Sequence, residues 1–382
     1  MLNHKILCII WSLIISVLMT GSIITNGLDM GVGILLFIVG KNNIERRIMI
    51  NTIAPHWDGN QVWLITTAAA LFAAWPIVYA TIFSCLYIPI ILLLISLFLR
   101  PIGFEYRSKI KNKIWQKICD IFISIGSFIP PFIFGIILGN IFKGIPFWVD
   151  KYYHIFSKGY FLDLFNLSSI LISSTIIIIF INHAASYLQI RVKENNINYR
   201  LNIILKLFSI LLIVFFILSF INITMYTKGY KIHSLLSNSN IDNFLINNSN
   251  ITYEKYAWIN NFRKNTYLYI IPLLSIIFSL LMILSSIYKK LIVTFVCSIL
   301  NIISIVITVG IIIFPFIIPS SIKSMQSLTI WNSTSSTLTL TIMFYIVIIF
   351  MPIILMYTIW CYKKMFFSIN KKEIKKKSNF YY

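Results

Sequence analysis

Apolar runs of membrane-spanning length, about 20 residues for a helix, recur along the whole chain and leave room for little else. Nine are placed near 7–38, 51–73, 77–103, 118–142, 161–190, 201–226, 266–287, 291–317 and 335–362. In hydrocarbon every backbone N–H and C=O must find its partner inside the protein, so a run of this length selects a helix. Of the 382 residues 58% are hydrophobic and 11% charged, against about 25% charged in an average soluble domain. The expected fold class is all-α: a polytopic membrane protein forming a single integral membrane domain over 1–382.

The run 51–73 is the least regular. Pro76 divides it from 77–103, and prolines at 130, 131, 315 and 319 mark expected kinks or ends. The longest stretch outside the runs, 227–265, is polar and Asn/Ser-rich and reads as a loop rather than a domain. A basic tail, 363–382, closes the chain. The first run carries Asp29 and lacks a small-residue cleavage site, so it reads as a retained span and not a signal peptide.

Basic residues set the expected orientation. With nine spans, 22 of the 32 Lys and Arg fall on the side shared by the odd-numbered loops and the C-terminus. The positive-inside rule then makes the N-terminus periplasmic and the C-terminus cytoplasmic. Charge distributed in this way, for a net of +21, suits anionic lipid and argues against a nucleic-acid role. Cys8, Cys85, Cys119, Cys297 and Cys361 are scattered without a C-x-x-C pair, which argues against disulfides, iron–sulfur clusters and zinc.

Function must therefore be sought in the polar residues inside the runs. The segment Arg47–Ala80 sets His56, Asp58, Asn60 and Gln61 at the head of an apolar stretch. A carboxylate in hydrocarbon costs about 2.5–3.5 kcal/mol on insertion scales, which makes Asp58 a candidate for proton traffic with a buried partner or cavity. Asp29 lies about 15–18 Å inside the end of its run near Lys41, and Asp58 is at a similar depth below Arg47. Glu105 closes the third run at the same surface, so a route from Glu105 through Asp58, with Asp29 alongside, is expected. The competing readings are structural: Asp29 and Asp58 held by Asn26, Asn60 or Gln61, and Glu105 paired with Arg100 or Arg107. His56 is a weak proton-active candidate or the partner of Asp58. A lone His183 reads as a hydrogen-bonded core residue. Haem iron takes an axial His, Met or Cys, and His4, His154 and His233 lie outside the spans.

These residues carry a resemblance. Gly27-Leu28-Asp29-Met30-Gly31-Val32-Gly33, Glu45-Arg46-Arg47, the W-D-G-N-Q-V-W-L of Trp57–Leu64, Phe72-Ala73-Ala74-Trp75-Pro76 and Arg100–Arg107 follow in the order found in subunit II of the cytochrome bd ubiquinol oxidases. Gly126–Pro131, Phe314-Pro315-Phe316 with Pro319-Ser320-Ser321, and Thr334-Ser335-Ser336 extend the similarity over nearly the whole chain. The resemblance implies nine transmembrane helices as two four-helix bundles plus one peripheral helix, beside a similarly folded subunit I. That partner would hold haems b and d and oxidise quinol. This chain would ligate no haem or metal and would supply a proton path to the oxygen-reducing site. Asp58 matches the carboxylate assigned to proton delivery, and Trp63 lies where the oxygen route begins. Some members hold a structural quinone in subunit II, and a small single-span subunit is a further expected partner.

Departures from the family pattern fall at Asn26 and Asn332, where Asp is usual, and at Thr67-Ala68-Ala69. An amide passes a hydrogen bond but does not titrate near neutral pH. Gly27/Gly31 and Gly135/Gly139 read as helix-packing sites. The alternatives are a proton-coupled secondary transporter, for which no second copy of the W-D-G-N segment is found, and a purely structural membrane partner.

Overall fold

The computed structural model describes residues 3–232 and 251–365. His233 and the tail beyond 365 lie outside them. The helices are α1 His4–Val39, α2 Asn43–Ile53, α3 Trp57–Ala74, α4 Pro76–Cys85, α5 Tyr87–Tyr106, α6 Lys113–Lys143, α7 Leu167–Arg191, α8 Asn195–Ile221, α9 Asn260–Lys264, α10 Ile270–Ile287, α11 Leu291–Ile313 and α12 Thr337–Met365. Side-chain caps begin several of them: Asn3 and Asn112 accept from the backbone of Lys5 and Ile114, and Asn166 and Ser169 form a capping box on α7.

Eight of these elements are long and apolar enough to cross a membrane, and a ninth crossing exists if α3 and α4 count as one span bent by 117°. The expected run 51–73 is thus interrupted: α2 ends at Ile53, residues 54–56 turn, and α3 starts at Trp57. The run 77–103 is also divided, because α4 stops at Cys85 and α5 alone makes the crossing. Trp75 shows the cause of the sharp bend. Standing before Pro76 it is excluded from the helical region and adopts φ −130°, ψ 74°, while Pro76 opens α4 at a position where no N–H is needed. Pro130 and Pro131 lie inside α6; Pro315 and Pro319 follow α11.

α1 is the central strut, packed against α3, α6 and α7; α5–α6 and α6–α7 continue one side, and α8, α10 and α11 the other. Small residues permit the closest approaches. A Cβ at Gly31 would stand 2.1 Å from the Phe180 carbonyl, and Cβ atoms at Gly135 and Gly139 within 2.3 Å of Ser173 and Ser169 Cα. Gly27 differs: its nearest neighbour would be 3.5 Å away, ordinary contact. α12 lies outside, with Leu340 its only buried residue. Three antiparallel pairs, β1–β2 (Phe147–Val149 with Ile155–Ser157), β3–β4 (Gly229–Ile232 with Ile251–Glu254) and β5–β6 (Phe316–Ile318 with Leu328–Thr329), cover one end of the bundle.

The opposite, basic end is tied by ion pairs. Arg107 holds Asp120 at 2.5 and 3.2 Å, Arg46 approaches the same carboxylate at 3.1 Å, and Arg200 pairs with Glu45 at 2.8 Å. The Arg200 hydrogen bond pulls the Glu45 carboxyl below its usual range.

Candidate functional site

Asp29 sits in the second half of α1 with no exposed surface. Both its oxygens accept from the Asn60 amide, at 3.0 and 3.1 Å, and Arg100 Nη2 of α5 stands 3.9 Å from Oδ2, too far for a hydrogen bond. Arg100 is itself fully buried, and none of its three guanidinium nitrogens has a hydrogen-bond partner among the described residues. Asn60, in the first turn of α3, is saturated. Its amide serves Asp29, its backbone carbonyl accepts from Asn26 at 3.0 Å, and its side-chain oxygen accepts from the Tyr362 hydroxyl of α12 at 2.6 Å.

His56 extends the cluster. Its ring stacks on Tyr362 with centroids 4.8 Å apart, and Nε2 lies 2.9 Å from the Tyr187 hydroxyl of α7. That hydroxyl donates to the Thr52 carbonyl at 2.9 Å, so His56 is the donor to Tyr187 through an Nε2–H. Five membrane helices, α1, α3, α5, α7 and α12, thus meet at one buried polar site.

Asp58 stands apart from it. One residue before and two after are turned inward, Trp57 toward the Phe104 ring at 5.5 Å and Asn60 toward Asp29, whereas Asp58 and Gly59 are exposed and open. A Cβ on Gly59 would meet nothing within 4 Å. Asp58 therefore has no partner within the described chain, and neither Asn60, Gln61 nor His56 holds it, contrary to the structural reading of this residue and to the buried partner expected for it. Two residues of helix rise, about 3 Å, separate it from Asn60, so the shared level of Asp29 and Asp58 stands while their environments differ.

Glu105 is half-buried at the end of α5. The expected ion pair with Arg100 or Arg107 does not form, because Arg100 faces Asp29 and Arg107 is engaged by Asp120 and, at 2.6 Å, by Asn43. The Trp57–Phe104 contact sets the start of α3 beside the end of α5, with Asp58 and Glu105 each next to one of the touching residues. Trp63 turns inward: a Cβ on Gly21 of α1 would come within 2.9 Å of its ring.

Tyr362, Tyr187 and Asp120 carry no expectation from the sequence, and Arg100 carries one only as a partner of Glu105. Its burial had a signal, since Arg100 follows 41 residues, 59–99, without a charge. Tyr362 had none, since 302 residues separate it from Asn60.

No group of three or more His, Cys, Asp or Glu arranged to hold a metal occurs among the described residues. His183 has both ring nitrogens engaged, by Ser298 at 2.8 Å and the Ile24 carbonyl at 3.1 Å, and His56 Nε2 is engaged by Tyr187. These side chains do not fit an axial haem ligand set.

The family model for cytochrome bd terminal oxidase subunit II matches residues 7–365. The chain belongs to that family. It is 42% identical to cytochrome bd-I ubiquinol oxidase subunit 2 of Escherichia coli (strain K12) over 382 residues, covering both chains completely. It is 40% identical over 386 residues to a probable cytochrome oxidase subunit 2 of Haemophilus influenzae, again over the full length of both. The bd oxidase structure from Geobacillus thermodenitrificans shares the fold with a TM-score of 0.68 at 14% identity, over 94% of this chain and 99% of that one. The chain is accordingly a multi-pass inner-membrane subunit of an oxidoreductase complex, and the family implies a subunit I beside it.

Proposed function

We propose that this chain serves as subunit II of a bd-type quinol:oxygen oxidase, holding no haem itself and delivering protons to haem-bearing subunit I. Overall, two quinols and one oxygen give two quinones and two waters; the four electrons pass through subunit I. The four protons consumed come from the cytoplasm, and those released by quinol leave on the periplasmic side, with the N-terminus of this chain periplasmic and its C-terminus cytoplasmic. Glu105 gathers protons at the basic surface and Asp58 passes them toward the partner. Trp63 marks the start of the oxygen route.

The observation that carries this reading is Asp58 itself: a carboxylate near the level of the buried Asp29, exposed and without a partner among the described residues. A buried carboxylate demands a polar neighbour, and subunit I is the body that would supply one. Asp29 favours a second role. With both oxygens held by Asn60 and a buried arginine opposite, it is suited to fix α1, α3 and α5 while modulating the charge felt by Asp58. A proton-coupled transporter has no observation in its favour.

The test is Asp58→Asn in the assembled complex. Asn keeps size and hydrogen-bonding capacity but has no exchangeable carboxyl proton. Oxygen uptake with quinol should fall at least tenfold with haem content unchanged. Normal uptake would reject the relay, and loss of haem with loss of association would make Asp58 structural.

A further inference from the structure

On the outer wall of the bundle, between α1, α6 and α7, runs an open crevice of about 460 Å³. Ile34 and Ile38 line it from α1, Ile125 and Phe128 from α6, and Ile177 from α7; Ser124 adds a hydroxyl. It belongs neither to the Asp29 cluster nor to the open face around Asp58. Ile38, Ile125 and Phe128 are each 44% exposed, so the chain leaves this apolar surface uncovered.

The helices that line the crevice run on to the basic end, where cations gather beyond it. Arg46 stacks over Phe37, the neighbour of Ile38, and approaches Asp120, one helical turn before Ser124, which holds the guanidinium between the ends of α1 and α6 that lead on from the crevice, with 18% of its side chain exposed. Asp120 cannot neutralise it, because the same carboxylate is already held through both oxygens by Arg107. Lys41, three residues beyond Ile38, and Lys117, eight residues before Ile125 on the same face of α6, are both exposed. An apolar shaft under a cluster of uncompensated cations complements one kind of molecule: an acyl chain carrying a phosphodiester with no cation of its own in the headgroup. Basic pockets between transmembrane helices recognise anionic headgroups in this way.

We propose that this crevice is a binding site for an anionic phospholipid, one acyl chain lying along Ile38, Ile125 and Phe128 and the phosphate held by Arg46, Lys41 and Lys117. The site is independent of the oxidase reading, since it requires neither Asp58 nor the orientation of the termini.

The experiment places a photoreactive benzophenone at the crevice through Phe128→p-benzoylphenylalanine in the assembled complex. The complex is illuminated in vesicles of phosphatidylethanolamine and phosphatidylglycerol at a known ratio, and the peptide adducts are read by mass spectrometry. Phosphatidylglycerol adducts should exceed their share of the bilayer several-fold. Lys41→Gln with Lys117→Gln should return that ratio to the bulk composition, and Ile125→Trp, which fills the shaft, should reduce adducts of both lipids. Because both lysines are exposed, the complex is expected to assemble with its haem spectrum unchanged. Adducts at the bulk ratio in the unsubstituted chain, enrichment that survives the double lysine replacement, or cross-links to subunit I in place of lipid would each overturn the proposal.

Discussion

Arg100 and Asp29 face each other across 3.9 Å with neither side chain exposed, one on α5 and the other on α1. Removing one member of a buried pair leaves an uncompensated charge and costs about 3–5 kcal/mol, whereas replacing both is far milder. Arg100→Gln and Asp29→Asn should each lower the thermal midpoint of the detergent-solubilised complex. Their combination should lower it by clearly less than the sum. Additive losses would mean that the two groups do not interact.

At the basic end, Glu45 offers a pH dependence with a definite sign. Its folded carboxyl is depressed below the ordinary value of 4.5 by the Arg200 hydrogen bond, so the unfolded state binds the proton more tightly. The stabilisation from this pair is present above the unfolded value and is lost as pH falls through the folded one. Unfolding of Glu45→Gln compared with the parent should show a deficit at pH 7 that shrinks steadily below about pH 4.5. A deficit that stays constant down to pH 3 would show that Glu45 acts only through packing.

Gly31 and Gly59 make opposite predictions for the same change. Gly31→Ala would drive a methyl group into the backbone carbonyl of Phe180 at 2.1 Å, which has no flexible end to give way, so the subunit should fail to accumulate in the membrane. Gly59→Ala meets nothing and should be neutral or slightly stabilising in the chain itself, given alanine's higher helix propensity. If subunit I covers the face that Gly59 shares with Asp58, Gly59→Trp should leave membrane insertion intact and abolish co-purification of haem. Unimpaired haem co-purification with Gly59→Trp would move the partner interface elsewhere.

The proposed topology has a direct measurement. A reporter fused after Tyr382 and active only in the cytoplasm is the expected result; activity only outside would reverse the orientation drawn from the basic residues.

Much of this arrangement was legible in the chain because hydrocarbon permits few solutions. Run length selected helices, and the rarity of acids within the runs drew attention to Asp29 and Asp58. Which of the two lies inside was not legible. That depends on the phase of α3, set by the turn at 54–56 and the start at Trp57, and a continuous run from 51 to 73 conceals both. Glu105 was assigned arginines by proximity in sequence, and the fold gave them to Asp29 and Asp120, carboxylates whose helices only meet in three dimensions. The pairing of Arg100 with Asp29 went unnoticed because a basic residue near the end of a run reads as a topology signal until its side chain is found to be buried.

α12 meets the bundle through few buried contacts but is fastened at both ends. Ser335, just before it, bonds the Ala73 and Ala74 carbonyls at 2.6 and 2.9 Å, and near its far end Tyr362 reaches Asn60 while Arg191 bonds the Met365 carbonyl at 3.0 Å. The two fastenings are separated by 27 residues, about 40 Å of helix. Between them the helix behaves as a ruler: exchanging one apolar side chain for another leaves the markings in place, whereas inserting or deleting a single residue carries Tyr362 about 100° around the axis and off Asn60. Natural variation in this segment is therefore expected to be free in spelling and rigid in length.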